Sequence, residues 1–387
     1  RDGLRWLHEL RTEHAESDAE RARLLNDWAQ LEEEFGEVDR ARQLYSRALE
    51  LAPDDAVALA ASVRLALAAE DWTAAAVGLE RQRQLAPAEE RATKALELAE
   101  LYVDRLAQPA EALSAAREAL ELDGDRVRAI DVLQKVVDEP GVRAEAARLL
   151  VEQFELTGDA RQEARALVVL IGETAEAGER IDLYHRLATV FEEKLGELGA
   201  ALGAILEALG SHPGELGLWD RGDRLGSLAG RPTELAERYR ETLRSSVAEG
   251  LEPEILRELA GRAARLHDSV LGDSLGAVPY LEMILGLDPD DEQAFGRLKE
   301  ILTGAERWGE LESLYEQATE RLDDEARRIE MLAEVALIAE EIIDDAAKAA
   351  GYHERILRLD PAHAASLEAL DRLYSRLGRS ERLSEID

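Results

Sequence analysis

The sequence predicts an all-α protein, a right-handed solenoid of stacked antiparallel helix hairpins with about 21 helices. Alanine, leucine, glutamate and arginine dominate the 387 residues, and aromatic residues make up only 4%, which favours helices over strands. No segment alternates between apolar and polar residues for long enough to predict a strand. The apolar-periodic segments are joined by short loops, so consecutive helices must pair as antiparallel neighbours.

One turn motif recurs along the chain and defines a repeat. Its copies read LAPDD, LAPAE, LDGDR, SHPGE, LDPDD and LDPAH, and they align Pro53, Pro87, Gly124, Pro213, Pro289 and Pro361. An alanine stands twelve residues before each aligned position, at Ala41, Ala75, Ala112, Ala201, Ala277 and Ala349. A small residue lets two helices approach closely, and the proline ends the second helix. Each copy therefore predicts one helix hairpin.

The C-terminal half repeats on a doubled period. Residues 266–291 match residues 338–363 at an offset of 72, and residues 191–215 precede the first of these segments by 76. One position after each turn holds a large apolar residue: Trp219, Phe295 and Leu367. A later position, at a turn between helices, holds Arg231, Arg307 and Arg379. We expect these arginines to bond the last carbonyls of the preceding helix, the alternative being a column that binds carboxylates.

The copy ILGLDPDD carries three aspartates and raises the question of a calcium site. An EF-hand loop needs Gly at its sixth position and Glu at its twelfth, but counting from Asp288 those positions hold Gln293 and Lys299. The other copies of this turn motif do not keep all three aspartates. We therefore expect a helix that ends at Leu287 or Asp288, a proline that stops it, and Asp290 as the N-cap of the next helix.

No set of residues in the sequence has the spacing of a catalytic or metal-binding motif. The chain has no cysteine, which excludes disulfides, thiolate metal sites and a cysteine nucleophile. Its seven histidines form no HExxH pattern, and neither G-x-S-x-G nor G-x-x-x-x-G-K-[ST] occurs. We therefore expect a non-enzymatic protein without a metal or cofactor.

The net charge of −36 narrows the classes of partner. Such a surface repels nucleic-acid phosphates and anionic lipids and favours a basic protein partner. No apolar run approaches the roughly 20 residues that span a bilayer, so we expect no membrane insertion. The chain begins at Arg1 without an initiator Met or a signal-peptide pattern, as a mature or excised segment would. A cytoplasmic location is favoured, or a periplasmic one if a signal peptide has been removed.

The repeat resembles the tetratricopeptide repeat family, most clearly over residues 22–55. Ala41, Tyr45, Ala48 and Pro53 stand at the family's second-helix positions. The first helix departs from the family, whose Trp, Leu, Gly and Tyr positions here hold Leu25, Trp28, Ala29 and Glu32. The doubled period is also similar to that of large repeat proteins of high-GC bacteria, such as myxobacteria.

The resemblance implies one continuous solenoid with three regions. Residues 1–125 hold N-terminal repeats of this type, residues 126–176 hold irregular helical repeats, and residues 177–387 hold repeats on the doubled period of 72–76 residues. His353 occupies a position that the family usually fills with an aromatic residue, so we expect it to be packed or half-exposed.

The resemblance also implies where a partner binds. The family uses a concave surface lined by its first helices, and the equivalent positions here include Asn26, Gln30, Arg64, Arg186 and Arg262. One branch of the family clamps C-terminal carboxylates with Lys and Asn, but Asn26 is the one asparagine in the chain and no matching lysine occurs. Arg186 and Arg262 recur at one position, which is consistent with contact to an acidic or carboxylate-bearing partner, the alternative being an ordinary solvated face.

The sequence thus favours a non-enzymatic scaffold that offers a groove to a peptide, a helix or a folded partner. Two alternatives stay open. The solenoid could be structural and self-associate, or it could be the regulatory or sensory arm of a larger enzyme whose catalytic domain lies outside this chain. Fold alone does not choose among them.

Overall fold

The computed structural model describes residues 1–244, 250–321 and 323–378. Over these residues the chain is all-α, with 21 α-helices and no strand, as the sequence predicts. It divides into two compact units, Arg1–Glu197 and Leu198–Asp387. In each unit, helices that follow one another along the chain pack against each other.

The first unit holds eleven α-helices. They are α1 Asp2–Glu13, α2 Asp18–Glu34, α3 Val38–Leu51, α4 Ala56–Ala68, α5 Trp72–Leu85, α6 Ala88–Leu101, α7 Pro109–Glu121, α8 Arg126–Val136, α9 Arg143–Thr157, α10 Ala160–Glu173 and α11 Ala177–Thr189. The closest pairs are α2 with α3, α4 with α5, α6 with α7 and α9 with α10. Each of these pairs is a helix hairpin.

The second unit holds ten α-helices within its described residues. They are α12 Leu198–Ser211, α13 Leu216–Leu228, α14 Pro232–Arg244, α15 Pro253–Arg265, α16 Ser274–Leu287, α17 Glu292–Gly304, α18 Trp308–Arg321, α19 Glu325–Glu341, α20 Ala346–Leu359 and α21 Ala364–Leu377. The pairs α15 with α16 and α19 with α20 pack extensively. These two hairpins contain the segments that match at the 72-residue offset.

The alanines of the repeat lie where the hairpins close. All six are fully buried: Ala41, Ala75, Ala112, Ala201, Ala277 and Ala349. A side chain larger than a methyl group would force the paired helices apart, since packed interiors have little free volume. The role that the sequence predicts for them is confirmed.

The large apolar residue after the turn packs against a tyrosine of the next helix. Trp219 is fully buried, and its ring stacks on Tyr239 with centroids 4.2 Å apart. At the equivalent positions 76 residues later, Phe295 meets Tyr315 edge-on, with centroids 5.4 Å apart. The indole nitrogen of Trp219 also donates a hydrogen bond to the carbonyl of Pro213 at 2.9 Å, tying this helix to the turn before it.

Three of the helices are prolonged by a π-helical turn. Tyr102–Leu106 extends α6, Val190–Lys194 extends α11, and Leu266–Val270, here named π3, extends α15. The second and third turns are followed by Gly196 and Gly272, both with positive φ. Glycine adopts that conformation without strain. The sequence pattern does not predict these turns, in which each hydrogen bond spans one more residue than in an α-helix.

Helices in this chain are capped by polar side chains and by glycine. The Ser17 hydroxyl accepts a hydrogen bond from the backbone N–H of Glu20 at 3.1 Å, and Gly158 ends α9 in the left-handed conformation. Helix α16 ends at Leu287. The prediction that Asp290 caps α17 is wrong, because Asp291 is the N-cap.

The cap lies at Asp291 because the chain needs one more residue to turn after Pro289. Asp291 has extended backbone angles, and its carboxylate accepts from the N–H of Ala294 at 2.9 Å. Asp290 instead donates its own N–H to the Asp288 carboxylate at 3.3 Å. Arg257 contacts both Asp288, at 3.2 Å, and Asp291, at 3.0 Å. Asp291 is thus held by its hydrogen bond to the N-terminus of α17, and both Asp288 and Asp291 are held by Arg257.

The arginines at the helix turns bond the preceding helix through their backbone. The N–H of Arg231 donates to the Gly226 carbonyl at 2.9 Å, and the N–H of Arg307 donates to the Leu302 carbonyl at 2.8 Å. The guanidinium of Arg231 contacts Glu234 at 3.3 Å, and that of Arg307 makes the equivalent contact with Glu310. Arg379 lies outside the described residues.

Candidate partner-binding surfaces

Helix α15 borders a cleft in the second unit. This α15–α17 cleft has a volume of about 480 Å³ and lies between α15, α16 and α17. Its floor is apolar and consists of Gly261, Ala264, Ala277, Leu281, Ile284 and Ala294. Five of these residues are buried on the core-facing sides of their helices, and Gly261 leaves open space where a larger side chain would fill the cleft.

The rim of the α15–α17 cleft is charged and mostly paired. Arg297 donates two hydrogen bonds of 2.8 Å to the Asp268 carboxylate, and these bonds, with one from the Ser274 hydroxyl, lower the pKa of Asp268. Arg257 contacts Asp291 from the other end of α15. These ion pairs hold the rim in place because they join different helices.

Arg265 lies between two neighbouring clefts. It lines the α15–α17 cleft and also a smaller α13–α15 cleft of about 310 Å³, whose wall includes Leu235, Leu266 and Val270. Arg265 is exposed, and within the described ranges its guanidinium is in no ion pair. A guanidinium in this position can donate hydrogen bonds to a group lying in either cleft.

Arg262 occupies the inner wall of the α13–α15 cleft and pairs with carboxylates of the chain itself. Its guanidinium contacts Asp220 at 2.6 Å and Glu258 at 2.7 Å. Burial alone would lower the pKa of Arg262, but the hydrogen bonds to Glu258 and Asp220 outweigh it and raise that pKa. Asp223, which accepts from the Tyr239 hydroxyl at 2.9 Å, has its pKa raised by burial.

The other residues predicted to bind a partner lie in the first unit. Asn26 is buried, and its amide nitrogen donates to the carboxylate of Asp55, the N-cap of α4, at 2.8 Å. Gln30 is exposed, and Arg64 contacts Glu33 at 2.6 Å. Arg186 contacts Glu155 and the buried Glu163 at 2.8 and 3.3 Å. Partner binding by Asn26, Gln30, Arg64, Arg186 and Arg262 stays a prediction.

Sequence reasoning missed the α15–α17 cleft, although one residue carried a signal. Gly261 stands in the middle of α15, where glycine is about 1 kcal/mol less favourable than alanine. A glycine at such a place indicates a close approach or an open surface. The cleft itself depends on the spacing between helices, which no local pattern specifies.

His353 is half-buried, in line with the expectation that it is packed or half-exposed. Its Nδ1 lies 3.0 Å from the hydroxyl of Ser366 on α21, and burial lowers its pKa. Across the described ranges, no group of three or more His, Asp or Glu side chains is arranged to hold a metal ion. In the same ranges, no helix has the length and apolar character needed to cross a membrane.

The chain is only weakly similar to solved structures. No curated protein matches the chain. The crystal structure of the P58(IPK) TPR domain is 15% identical over 93% of this chain and 99% of that chain, with a TM-score of 0.23. A human IFIT1 dimer with m7Gppp-AAAA is 16% identical over 88% of this chain and 71% of that chain, with a TM-score of 0.25.

These structural likenesses are too weak to transfer a ligand or a partner to this chain. The sequence match is more definite. The tetratricopeptide repeat family matches residues 22–65, which cover most of α2, all of α3 and most of α4. Over that stretch, the chain is similar to a tetratricopeptide repeat.

Proposed function

We propose that this chain is a protein-interaction scaffold and that its second unit holds a segment of a partner protein in the α15–α17 cleft. The observation that carries the proposal is the cleft itself, with its apolar floor and charged rim. Stacked helical repeats expose extended surfaces of this kind. Apolar contacts on the floor contribute affinity, and the paired charges on the rim contribute specificity.

The length of the cleft favours a peptide segment over a small molecule. Its wall on α15 and π3 runs from Glu254 to Asp268, which corresponds to about 20 Å at about 1.5 Å per residue. An extended chain advances about 3.3 Å per residue, so roughly six residues of a partner span the cleft. Arg265 stands beside that path and can donate to a backbone carbonyl or a carboxylate of the bound segment.

Gly261 permits a test that needs no known partner. A peptide library displayed on phage is panned against the full chain, and the affinity of the selected peptides is measured for the wild type and for Gly261→Leu. A Cβ at residue 261 would meet only the guanidinium of Arg265, at 3.5 Å, an ordinary contact. The leucine side chain therefore occupies the cleft without displacing a helix.

Gly296→Leu is the matched control. Gly296 also lies inside a helix, α17, and a Cβ there meets no atom within 4 Å. We expect Gly261→Leu to weaken the selected peptides at least tenfold, whereas Gly296→Leu changes their affinity less than twofold. Far-UV circular dichroism checks that both variants keep their helices. Peptides that bind Gly261→Leu as well as they bind the wild type would overturn the proposal.

Self-association is a second candidate function, favoured by the outer face of α1. Leu4, Trp6, Leu7 and Leu10 are between 37% and 62% exposed, while Thr12 of the same helix is buried. An exposed apolar face of this kind marks an interaction surface, and a second copy of the chain could cover it. Light scattering over a concentration series tests this, with Trp6→Glu as the variant. A constant mass of 42.7 kDa for the wild type would contradict it.

A further inference from the structure

A separate cleft lies between α16, α17 and α18 of the second unit. This α16–α18 cleft has a volume of about 370 Å³. Its apolar wall consists of Leu285, Pro289, Phe295, Leu298 and Leu314. None of these residues lines the α15–α17 cleft, so the two clefts are distinct surfaces.

One end of the α16–α18 cleft is acidic. Glu282 on α16 and Glu310 on α18 both line it. Within the described part of the chain, Glu282 is in no ion pair, whereas Glu310 pairs with Arg307 at 2.6 Å. Burial raises the pKa of Glu282, and the nearby charge of Glu310 raises it further. A cation placed between these two carboxylates would relieve their repulsion.

Arg321 also lines the cleft. Its guanidinium donates to the carbonyl of Leu285 at 3.4 Å and, among the described residues, forms no ion pair with either glutamate. The cleft therefore presents an apolar wall next to Glu282, a carboxylate that no ion pair among the described residues neutralises. The net charge of −36 over the whole chain adds a field that draws cationic groups towards the surface.

We propose that the α16–α18 cleft binds a basic, apolar segment of a protein partner, with an arginine or lysine side chain between Glu282 and Glu310 and apolar neighbours against Phe295 and Leu314. This site is additional to the α15–α17 cleft. Arginine suits it because its guanidinium can donate to two carboxylates at once, and because its stem can lie along apolar surface.

A short synthetic peptide tests the proposal directly. The probe is fluorescein-labelled Phe-Leu-Arg-Leu-Leu-amide, and its counterpart carries citrulline, a neutral isostere, in place of arginine. Both are titrated against the full chain bearing Gly261→Leu, which blocks the other cleft, and fluorescence anisotropy reports binding. We expect the citrulline peptide to bind at least fivefold more weakly than the arginine peptide. Equal affinities, or no binding of the arginine peptide, would overturn the proposal.

Two substitutions locate the bound peptide. Gly286 lines the cleft, and a Cβ there meets no atom within 4 Å, so Gly286→Leu fills the space and is expected to weaken binding at least tenfold. Glu282→Gln keeps the shape of the side chain but removes its charge, and is expected to weaken the arginine peptide at least threefold while leaving the citrulline peptide unchanged.

The controls separate this proposal from the preceding one. Glu320 is exposed on the same helix as Glu310, and Glu320→Gln should leave affinity unchanged. If Glu282→Gln and Glu320→Gln have the same effect, the local site is refuted and only the general negative field remains. Because every titration is done with Gly261→Leu in place, failure here leaves the proposal for the α15–α17 cleft untouched, and the reverse also holds.

Discussion

Replacing Trp219 with alanine is expected to cause the largest loss of stability among single substitutions at the repeat position after the turn. Trp219 is fully buried and stacked on Tyr239. Truncating a buried tryptophan to alanine costs about 3–5 kcal/mol. The lost hydrogen bond to Pro213 leaves a carbonyl without its partner, which costs about 1 kcal/mol more.

Replacing Phe295, the equivalent residue one doubled repeat later, with alanine is expected to cost less stability. Phe295 is only partly buried and meets Tyr315 by its edge, so Phe295→Ala should cost about 1–2 kcal/mol. Trp219→Phe keeps a ring against Tyr239 but removes the indole hydrogen bond and part of the buried ring volume. It should cost about 1–2 kcal/mol.

Hydrogen exchange measures these costs as local opening free energies, from the amides of α13 and α14 for the Trp219 variants and from those of α17 and α18 for Phe295→Ala. This assay suits a repeat protein, in which each hairpin is stabilised mainly by its neighbours and unfolding of the whole chain need not be two-state. The reasoning predicts that Trp219→Ala costs more than Trp219→Phe and more than Phe295→Ala does in its own hairpin. Equal costs for the two alanine variants would refute it.

Three further predictions concern Asp291, the N-cap of α17; the buried Glu32; and Arg262, which the sequence predicts to bind a partner. Asp291→Ala should lower the free energy of unfolding by about 1 kcal/mol because it removes the N-cap of α17, while Asp290→Ala should change it by less than about 0.5 kcal/mol; urea unfolding of both variants compares them. Burial alone would raise the pKa of Glu32, but hydrogen bonds from Arg5 and Trp28 outweigh it and lower that pKa below its usual 4.5, so the charged carboxylate stabilises the fold above pH 4.5 and this contribution is lost as the pH falls through the lowered pKa. Thermal unfolding of the wild type and of Glu32→Gln is compared from pH 6 to pH 3. The difference in stability between them should shrink as the pH falls, and a difference that does not depend on pH would contradict the prediction. Arg262→Ala should destabilise the fold by about 1 kcal/mol, since its partners are partly exposed, and an unchanged melting temperature would show that its ion pairs contribute nothing.

The elements that local chemistry determines could be predicted from the sequence. The spacing of proline and alanine predicts the hairpins, and the structure buries all six alanines, because helix period and turn chemistry depend on residues close together in the chain. The one wrong cap, Asp290 for Asp291, is a shift of one residue, the scale on which helix boundaries vary.

The surfaces could not be predicted, because they depend on contacts between residues far apart in the chain. The sequence resemblance predicts that Arg262 contacts a partner, yet its guanidinium contacts Asp220, 42 residues away. The sequence contains both residues but not their distance. The clefts beside α15 and α16 likewise follow from the gaps that Gly261 and Gly286 leave between neighbouring helices.

A crystal structure of the full chain with the tightest peptide selected from the library would test the central claim most directly. The account predicts electron density for an extended segment in the α15–α17 cleft, within contact distance of Gly261 and Leu281 and hydrogen-bonded to Arg265. Density for the peptide on another surface, such as the one that carries Asn26 and Gln30, with the α15–α17 cleft empty, would contradict it.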